Sequence, residues 1–477
     1  MSAYAAIIPL VIVALAAIVA MVAEAFREPG ERMPIAWLGI IGLVGAAIVS
    51  GLLWNTDAHS LGVIRSDNFA LFINMVLCTI GILTMLMSAD VVEREGIPAG
   101  EYYALTLFAI CGMMMMAAAT DLLVVFLALE ILSLAVYVLT GIRRSSAGGA
   151  EAAFKYFLLG AFSSAFFLYG IAFAFALSGS TRIEQIGEVL ARQSAGEPST
   201  LALLTVGLLA VGFAFKVSAV PFHMWTPDAY EGAPTIVTAF MSTAVKAAAF
   251  AAFVRVFLSP LEPLKEHWIP VLSVLAALTM ILGTVVGVVQ TNIKRMLAYS
   301  SIAHAGYLLL GLVAANSTGK AAILFYLLTY AVTNMGALGI VALLGTAERP
   351  HDELRDFAGL WRARPGLAGL MTIFLLSLGG LPPTAGFIGK WYIFSAAVQE
   401  GHYWLAIIGV LTSVVSVFFY LRIVVMMYMT EGTDAPRPRV AATALAGLAL
   451  AVIAVLYLGV LPTRALDLAL ESISTIF

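Results

Sequence analysis

The 477-residue chain is 62% hydrophobic and only 11% charged, with a net charge of −3 and a mean hydropathy of +1.00. That composition excludes an ordinary soluble domain, and so few charges scattered over short loops give no footprint for nucleic acid or an anionic-lipid anchor. The two cysteines, Cys78 and Cys111, lie inside apolar runs without C-x-x-C spacing, so they are expected to be inert thiols rather than ligands of zinc or an iron–sulfur cluster.

Apolar runs of roughly 20 residues, the length that crosses about 30 Å of hydrocarbon, predict an all-α polytopic membrane protein. Fourteen spans are expected, at about 4–25, 35–54, 67–88, 102–119, 121–141, 151–178, 200–228, 233–258, 268–289, 295–315, 319–345, 367–399, 404–429 and 441–461. The first, Tyr4 to Val22, lacks a basic n-region and a clear cleavage site and reads as a retained helix. The least marked division is that between the fourth and fifth, at Asp121. Polar stretches near 179–199 and 345–366 have room for short surface helices but not for a cofactor-binding domain. A strand-flanked G-x-G-x-x-G, a G-x-x-x-x-G-K-[ST] and an H-E-x-x-H are all missing, which argues against direct dinucleotide binding, ATP-driven transport and zinc proteolysis.

Loops after odd-numbered spans hold Arg27, Arg32, Arg94, Arg143, Arg144, Lys294, Arg295, Arg349, Arg355, Arg362, Arg364, Arg437 and Arg439. The opposite loops hold chiefly Arg65, Arg182, Arg192, Arg255, Lys265 and Lys320. The positive-inside rule therefore puts the odd loops in the cytoplasm and both termini outside, and the simplest address is a bacterial cytoplasmic membrane.

Two spans contain helix breakers. In the seventh, Lys216 is followed by Val217-Ser218-Ala219-Val220-Pro221-Phe222-His223; in the twelfth, Gly379-Gly380-Leu381-Pro382-Pro383 precedes Lys390. Proline removes a backbone donor and clashes with the preceding turn, so each span should be interrupted, with its freed carbonyls facing protein or water. Breaks five spans apart, each beside a lysine, suggest two inverted five-helix repeats. The expected division is 1–101 as an N-terminal three-helix segment, 102–258 and 259–429 as the repeats, each a proton half-channel, and 430–477 as a C-terminal helix. Packing kinks are the other reading of such prolines.

Glu130, Lys216, Lys246 and Lys390 fall within these spans, where a charge costs at least about 2.5 to 3.5 kcal/mol and needs a reason. A buried acid and a buried lysine each lower the other's cost of ionisation, so Glu130 and Lys216 are expected to pair, with Lys246 and Lys390 further along a proton path. The alternative for Glu130 is a carboxyl that merely bonds a neighbouring helix. His223, past the seventh-span break, and His304, after Tyr299-Ser300-Ser301, are candidate relay groups or satisfied interhelical histidines, and neither implies a metal. Glu151 and Lys155 read as an interfacial i,i+4 pair, and Asp228 to Thr235 as a helix end followed by a capped helix start. Lys294 is a topology determinant or a group at an entry mouth. Met113 to Met116 is packing.

The stretch from Lys216 through Pro221-Phe222-His223-Met224-Trp225-Thr226-Pro227-Asp228-Ala229-Tyr230-Glu231 to Thr235 resembles the signature of the antiporter-like membrane subunits of complex I and of Mrp-type cation/proton antiporters. Asn292 to Tyr307 and Leu378 to Phe387 are similar to the same family, so the resemblance covers essentially the whole chain. Its ending soon after the fourteenth span, without a long lateral helix, and a lysine at 390 rather than a glutamate, resemble one branch of the complex I members. By this resemblance Glu130 and Lys216 are the acid–lysine pair, Lys246 the bridging lysine and Lys390 the lysine of the second half-channel. The resemblance implies proton pumping driven by NADH-to-quinone electron transfer in partner subunits that hold FMN and iron–sulfur clusters, with no cofactor or metal in this chain. Its expected neighbours are other antiporter-like and small membrane subunits, lipids and protons. A sodium/proton antiporter subunit and a structural scaffold whose polar residues are relics are the alternatives.

Overall fold

The computed structural model describes residues 4–26, 35–193, 197–345, 352–432 and 440–476. Helices follow one another as α1 (Ile8–Ala25), α2 (Ile35–Leu52), α3 (Asn68–Arg94), α4 (Ala99–Ala118), α5 (Leu122–Thr140), α6 (Ala147–Ser178), α7 (Ile183–Gln193), α8 (Thr200–Val217), α9 (Trp225–Gly232) and α10 (Thr235–Phe240). A π-turn over Met241–Val245 joins α10 to α11 (Lys246–Phe257). Then come α12 (Lys265–Val289), α13 (Ile293–Ala314), α14 (Ser317–Leu344), α15 (Leu360–Ala363), α16 (Pro365–Gly379), α17 (Ala385–Gln399), α18 (Tyr403–Met429), α19 (Ala442–Val460) and α20 (Thr463–Ile473).

The ends of these helices obey local chemistry. Asp67, Asp121, Ser146, Ser199, Asn292 and Asn316 each accept a backbone N–H from the first turn of the helix they precede, satisfying donors that have no partner within the helix. Asp121 thereby makes the least marked expected division a true one, since α4 stops at Ala118 and α5 starts at Leu122. The helix start at Thr235, by contrast, is not capped by a side chain. Thr238 Oγ1 instead donates to the Tyr230 carbonyl at 2.7 Å, stitching α10 to α9 across the turn.

Thirteen helical segments among the described residues are long and apolar enough to cross a membrane. The twelfth expected span is the fourteenth crossing, split into α16 and α17, each too short to cross alone. The seventh stops at Val217 rather than running to 228, because Ser218 turns into the left-handed region at φ +65° and closes the helix. Gly380, at φ +79°, closes α16 in the same way. Each break also contains a cis X-Pro bond, Val220-Pro221 and Pro382-Pro383.

Helices α3, α10–α11, α13 and α14 are the buried centre, and the segment Thr235–Phe257 is wholly enclosed. Around them α1, α2, α6, α12, α18 and α19 turn Leu, Val, Ile and Phe side chains outward, as a lipid-facing surface requires. Two features escape the span count. A short hairpin pairs Ala58–Ser60 with Ile64–Ser66, and the amphipathic α20 follows the last crossing. Of the basic residues that set the expected orientation, Arg27, Arg32, Arg349, Arg437 and Arg439 lie outside the described residues.

Candidate proton path

Lys216 occupies the last turn of α8, where unpaired carbonyls favour a cation. It is 3% exposed, its ammonium has no hydrogen-bond partner, and it lies over the rings of Tyr137 at 5.4 Å and Tyr156 at 5.6 Å. Tyr156 stacks on Trp225, 4.2 Å between centroids, and the Trp225 indole N–H donates to the Phe215 carbonyl at 3.0 Å. The break thus builds a rigid aromatic wall around the lysine.

Glu130 is only half-buried, since α5 turns Leu127 and Ile131 on either side of it outward. Its carboxylate makes no direct contact with Lys216; it accepts a hydrogen bond from Ser164 on α6 at 2.5 Å. The expected acid–lysine pair is therefore not closed by a hydrogen bond in this structure.

Lys246 starts α11 directly after the π-turn, in the wholly buried crossing. One additional residue in the turn rotates the helix face and leaves backbone groups without regular partners, which is why such turns accompany functional groups. Its ammonium donates to the Ser301 carbonyl of α13 and lies 6.0 Å from the centre of the Tyr330 ring, whose hydroxyl donates to Ser301 Oγ at 2.9 Å.

One turn further along α13, His304 joins two tyrosines, Nδ1 to Tyr326 Oη at 2.6 Å and Nε2 to Tyr420 Oη at 3.2 Å. Tyr420 is in turn hydrogen-bonded to Ser300 Oγ at 2.5 Å, where either hydroxyl can donate. The imidazole lies 5.0 Å from the Tyr330 ring, which Lys246 faces, and 5.6 Å from the Tyr307 ring, which Lys390 faces.

Lys390 is 4% exposed and donates to the Leu378 carbonyl at 2.9 Å, the Gly379 carbonyl at 3.2 Å and Ser413 Oγ at 2.8 Å, with the Tyr307 ring 5.1 Å away. The carbonyls that the Gly380 break frees from α16 are therefore answered by a lysine from α17. Its setting differs from that of Lys216, which precedes its break and donates to no carbonyl. His223 sits in the first break, away from the His304 cluster, with Nδ1 buried and without a partner.

On one face of the molecule a 340 Å³ cavity opens between α6, α9 and α13. Arg295 bonds Asp228 at 2.9 Å and Glu231 at 2.8 Å, and Lys155 bonds Asp228 at 3.1 Å as well as Glu151 at 2.8 Å. Lys294 is buried at the back of the cavity, donating to the carbonyls of Glu231 at 2.6 Å and Ala233 at 2.7 Å, with Asp352 at 3.6 Å. Burial pushes the Asp352 carboxyl up from its ordinary range, and the Lys294 charge pulls it partly back. Lys294 is thus built into a cavity wall rather than serving topology alone.

Residues 119–416, which include both breaks and all four membrane charges, match the family model described as NADH:quinone oxidoreductase/Mrp antiporter, TM. The chain belongs to this NADH:quinone oxidoreductase/Mrp antiporter family. Among its relatives, NADH-quinone oxidoreductase subunit N of Trichlorobacter lovleyi is 46% identical, over 90% of this chain and 88% of that one. The subunit N of Chloroflexus aggregans is 44% identical over 98% and 96%. A chain of respiratory complex I from Thermus thermophilus with bound Aureothin superposes with a TM-score of 0.82 and 35% identity, covering 96% of this chain and 99% of that one. A chain of the Mrp complex from Dietzia sp. shares the fold, with a TM-score of 0.83 at 21% identity.

The sequence singles out the lysines and the acid as charges in apolar runs, and the histidines as groups that titrate near neutral pH. The sequence does not single out Ser164, Tyr137, Tyr156, Tyr326, Tyr330, Tyr420 and Ser413, the neutral groups around them. A tyrosine or serine in an apolar run carries no charge penalty, so nothing in the sequence singles these out from packing.

Proposed function

We propose that this chain is a proton-translocating membrane-arm subunit of an NADH-quinone oxidoreductase, working beside other subunits of that complex that hold FMN, iron–sulfur clusters and quinone. The kinship with subunit N at 46% identity supports this over an Mrp-type antiporter subunit, where the solved relative shares the fold at 21%. The bacterial cytoplasmic membrane is its location, with both termini on the periplasmic side and the charged 340 Å³ cavity opening to the cytoplasm. Residues 102–258 and 259–429 are the two inverted half-channels, 1–101 and 430–477 the flanking helices.

Protons move along Glu130, Lys216, Lys246, His304 and Lys390. The observation that carries this reading is the row of polar contacts from Lys246 through Ser301 and Tyr330, and from His304 through Tyr326 and Tyr420, in the buried centre of the bundle. A charge displaced against the membrane field costs about 2.3 kcal/mol per 100 mV, so the work comes from the remote redox reaction. A change in the distance between Glu130 and Lys216 switches the lysine between holding and releasing a proton, which passes by Lys246 towards Lys390. His223 serves the first break as a further proton acceptor.

Replacing Lys216 or Lys246 by alanine in the assembled complex should slow proton transfer by about 100-fold or more. Proton uptake into vesicles is the measurement, with uncoupled NADH oxidation recorded alongside. Full pumping with both lysines absent would overturn the path.

A further inference from the structure

We propose that Ser164 is a positioning residue whose hydroxyl provides a second seat for the Glu130 carboxylate, holding it off Lys216 in the open state of the pair. This rests on Glu130 and Lys216 acting as the switching pair, and goes beyond it by naming what stabilises the separated state.

A charge that leaves its counter-ion inside a low-dielectric interior needs another polar partner. Both members of the pair have one here, and both partners sit on α6. Ser164 Oγ donates to Glu130 Oε1 at 2.5 Å. Tyr156, about two turns earlier on the same helix, faces Lys216 at 5.6 Å, with Tyr137 on the other side at 5.4 Å. Two ring faces attract an ammonium without accepting its proton, and Lys216 has no competing hydrogen bond.

The chemistry of serine suits this seat. One short hydroxyl donates to a carboxylate without adding charge. When the carboxylate leaves, the same hydroxyl can donate to the carbonyl four residues back, that of Gly160, so the closed state leaves it satisfied. Ser133 on α5 makes that back-bond to Leu129, beside the same carboxylate. A small movement of α6 therefore loosens the seats of acid and lysine together, and either charge moving reports on that helix.

The test compares Ser164→Thr with Ser164→Val in the assembled complex, because the two side chains share a shape and differ in the hydroxyl. Protons pumped per NADH oxidised are measured in vesicles, with assembled complex and uncoupled NADH oxidation as controls. Losing a hydrogen bond to a charged group shifts the seat equilibrium by about tenfold, so the valine variant should pump fewer protons per NADH, and threonine should restore the ratio. Infrared difference spectra should show the carboxylate band that is lost in Glu130→Gln shifted in the valine variant and kept in threonine. Equal pumping ratios and equal spectra in the two variants would overturn the role of Ser164 while Lys216→Ala still fails to pump. Full pumping in Glu130→Gln and Lys216→Ala would overturn the switching pair itself, and the seat with it.

Discussion

Tyr420 is the most economical residue in the second half of the proposed path, because one hydroxyl serves both His304 Nε2 at 3.2 Å and Ser300 Oγ at 2.5 Å. Tyr420→Phe keeps the ring that packs on Phe419, 4.5 Å between centroids, and removes only those two bonds. Leaving a buried polar group unpaired costs about 1–3 kcal/mol, so the variant should unfold slightly earlier and pass protons more slowly, with pumping measured against uncoupled NADH oxidation. An unchanged pumping ratio would remove Tyr420 from the path and leave it as a packing residue. This residue also marks the limit of what sequence discloses. Lys216, Lys246 and Lys390 declare themselves because a charge in an apolar run is expensive. Tyr420 and Tyr326 are ordinary there, and they meet His304 only because α14 and α18 fold back across 22 and 116 positions. The Glu130–Lys216 pairing was legible as proximity but not as geometry, since no sequence pattern distinguishes a closed ion pair from two charges seated on Ser164 and two tyrosines.

At the level of elements, the two breaks were legible from proline and glycine, whereas their different use of lysine was not. The first break ends a helix that carries Lys216; the second exposes carbonyls that Lys390 reaches from the next helix. That difference makes Gly380 a sensitive position. At φ +79° a side chain costs about 1–2 kcal/mol, and a Cβ there would stand 2.8 Å from Lys390 Cδ and 3.3 Å from its Nζ. Gly380→Ala should therefore push Lys390 off its carbonyls and lower pumping. Gly401, at φ +77° with open space around it, gives the same backbone strain without that contact. Gly401→Ala should lose similar stability and pump normally. Equal pumping in the two variants would show that Lys390 tolerates displacement from the break. The hairpin and α20 were not legible at all, the first because three-residue strands fall below any periodicity, the second because its short amphipathic pattern lies outside a span count.

Across the whole molecule, the helix that carries Lys246 is fixed at its far end by an ion pair that crosses the bundle. Arg255, late in α11, places two nitrogens on the Asp67 carboxylate at 2.9 and 2.8 Å, while its Nε donates to the Ala117 carbonyl at the end of α4 at 2.9 Å. Its guanidinium also lies 5.0 Å from the centre of the Phe69 ring. Asp67 simultaneously caps α3 by accepting from the Ala70 N–H at 2.8 Å, so one buried pair joins α3, α4 and α11. Side-chain exposures of 4% and 0% mean that breaking it leaves a desolvated charge. Arg255→Met or Asp67→Leu alone should cost about 3–5 kcal/mol, read as a fall in the unfolding temperature of the purified complex in detergent. The double replacement removes both charges, and should be less destabilised than the sum of the two singles by at least about 1 kcal/mol. It still loses the cap on α3 and the bond to Ala117, so it should remain less stable than the parent protein. Since neither residue touches the proposed proton path, surviving double-variant complex should pump normally if the pair acts as an anchor. A complex that assembles and holds its unfolding temperature but pumps poorly would show instead that the position of α11, and with it Lys246, depends on this pair during turnover.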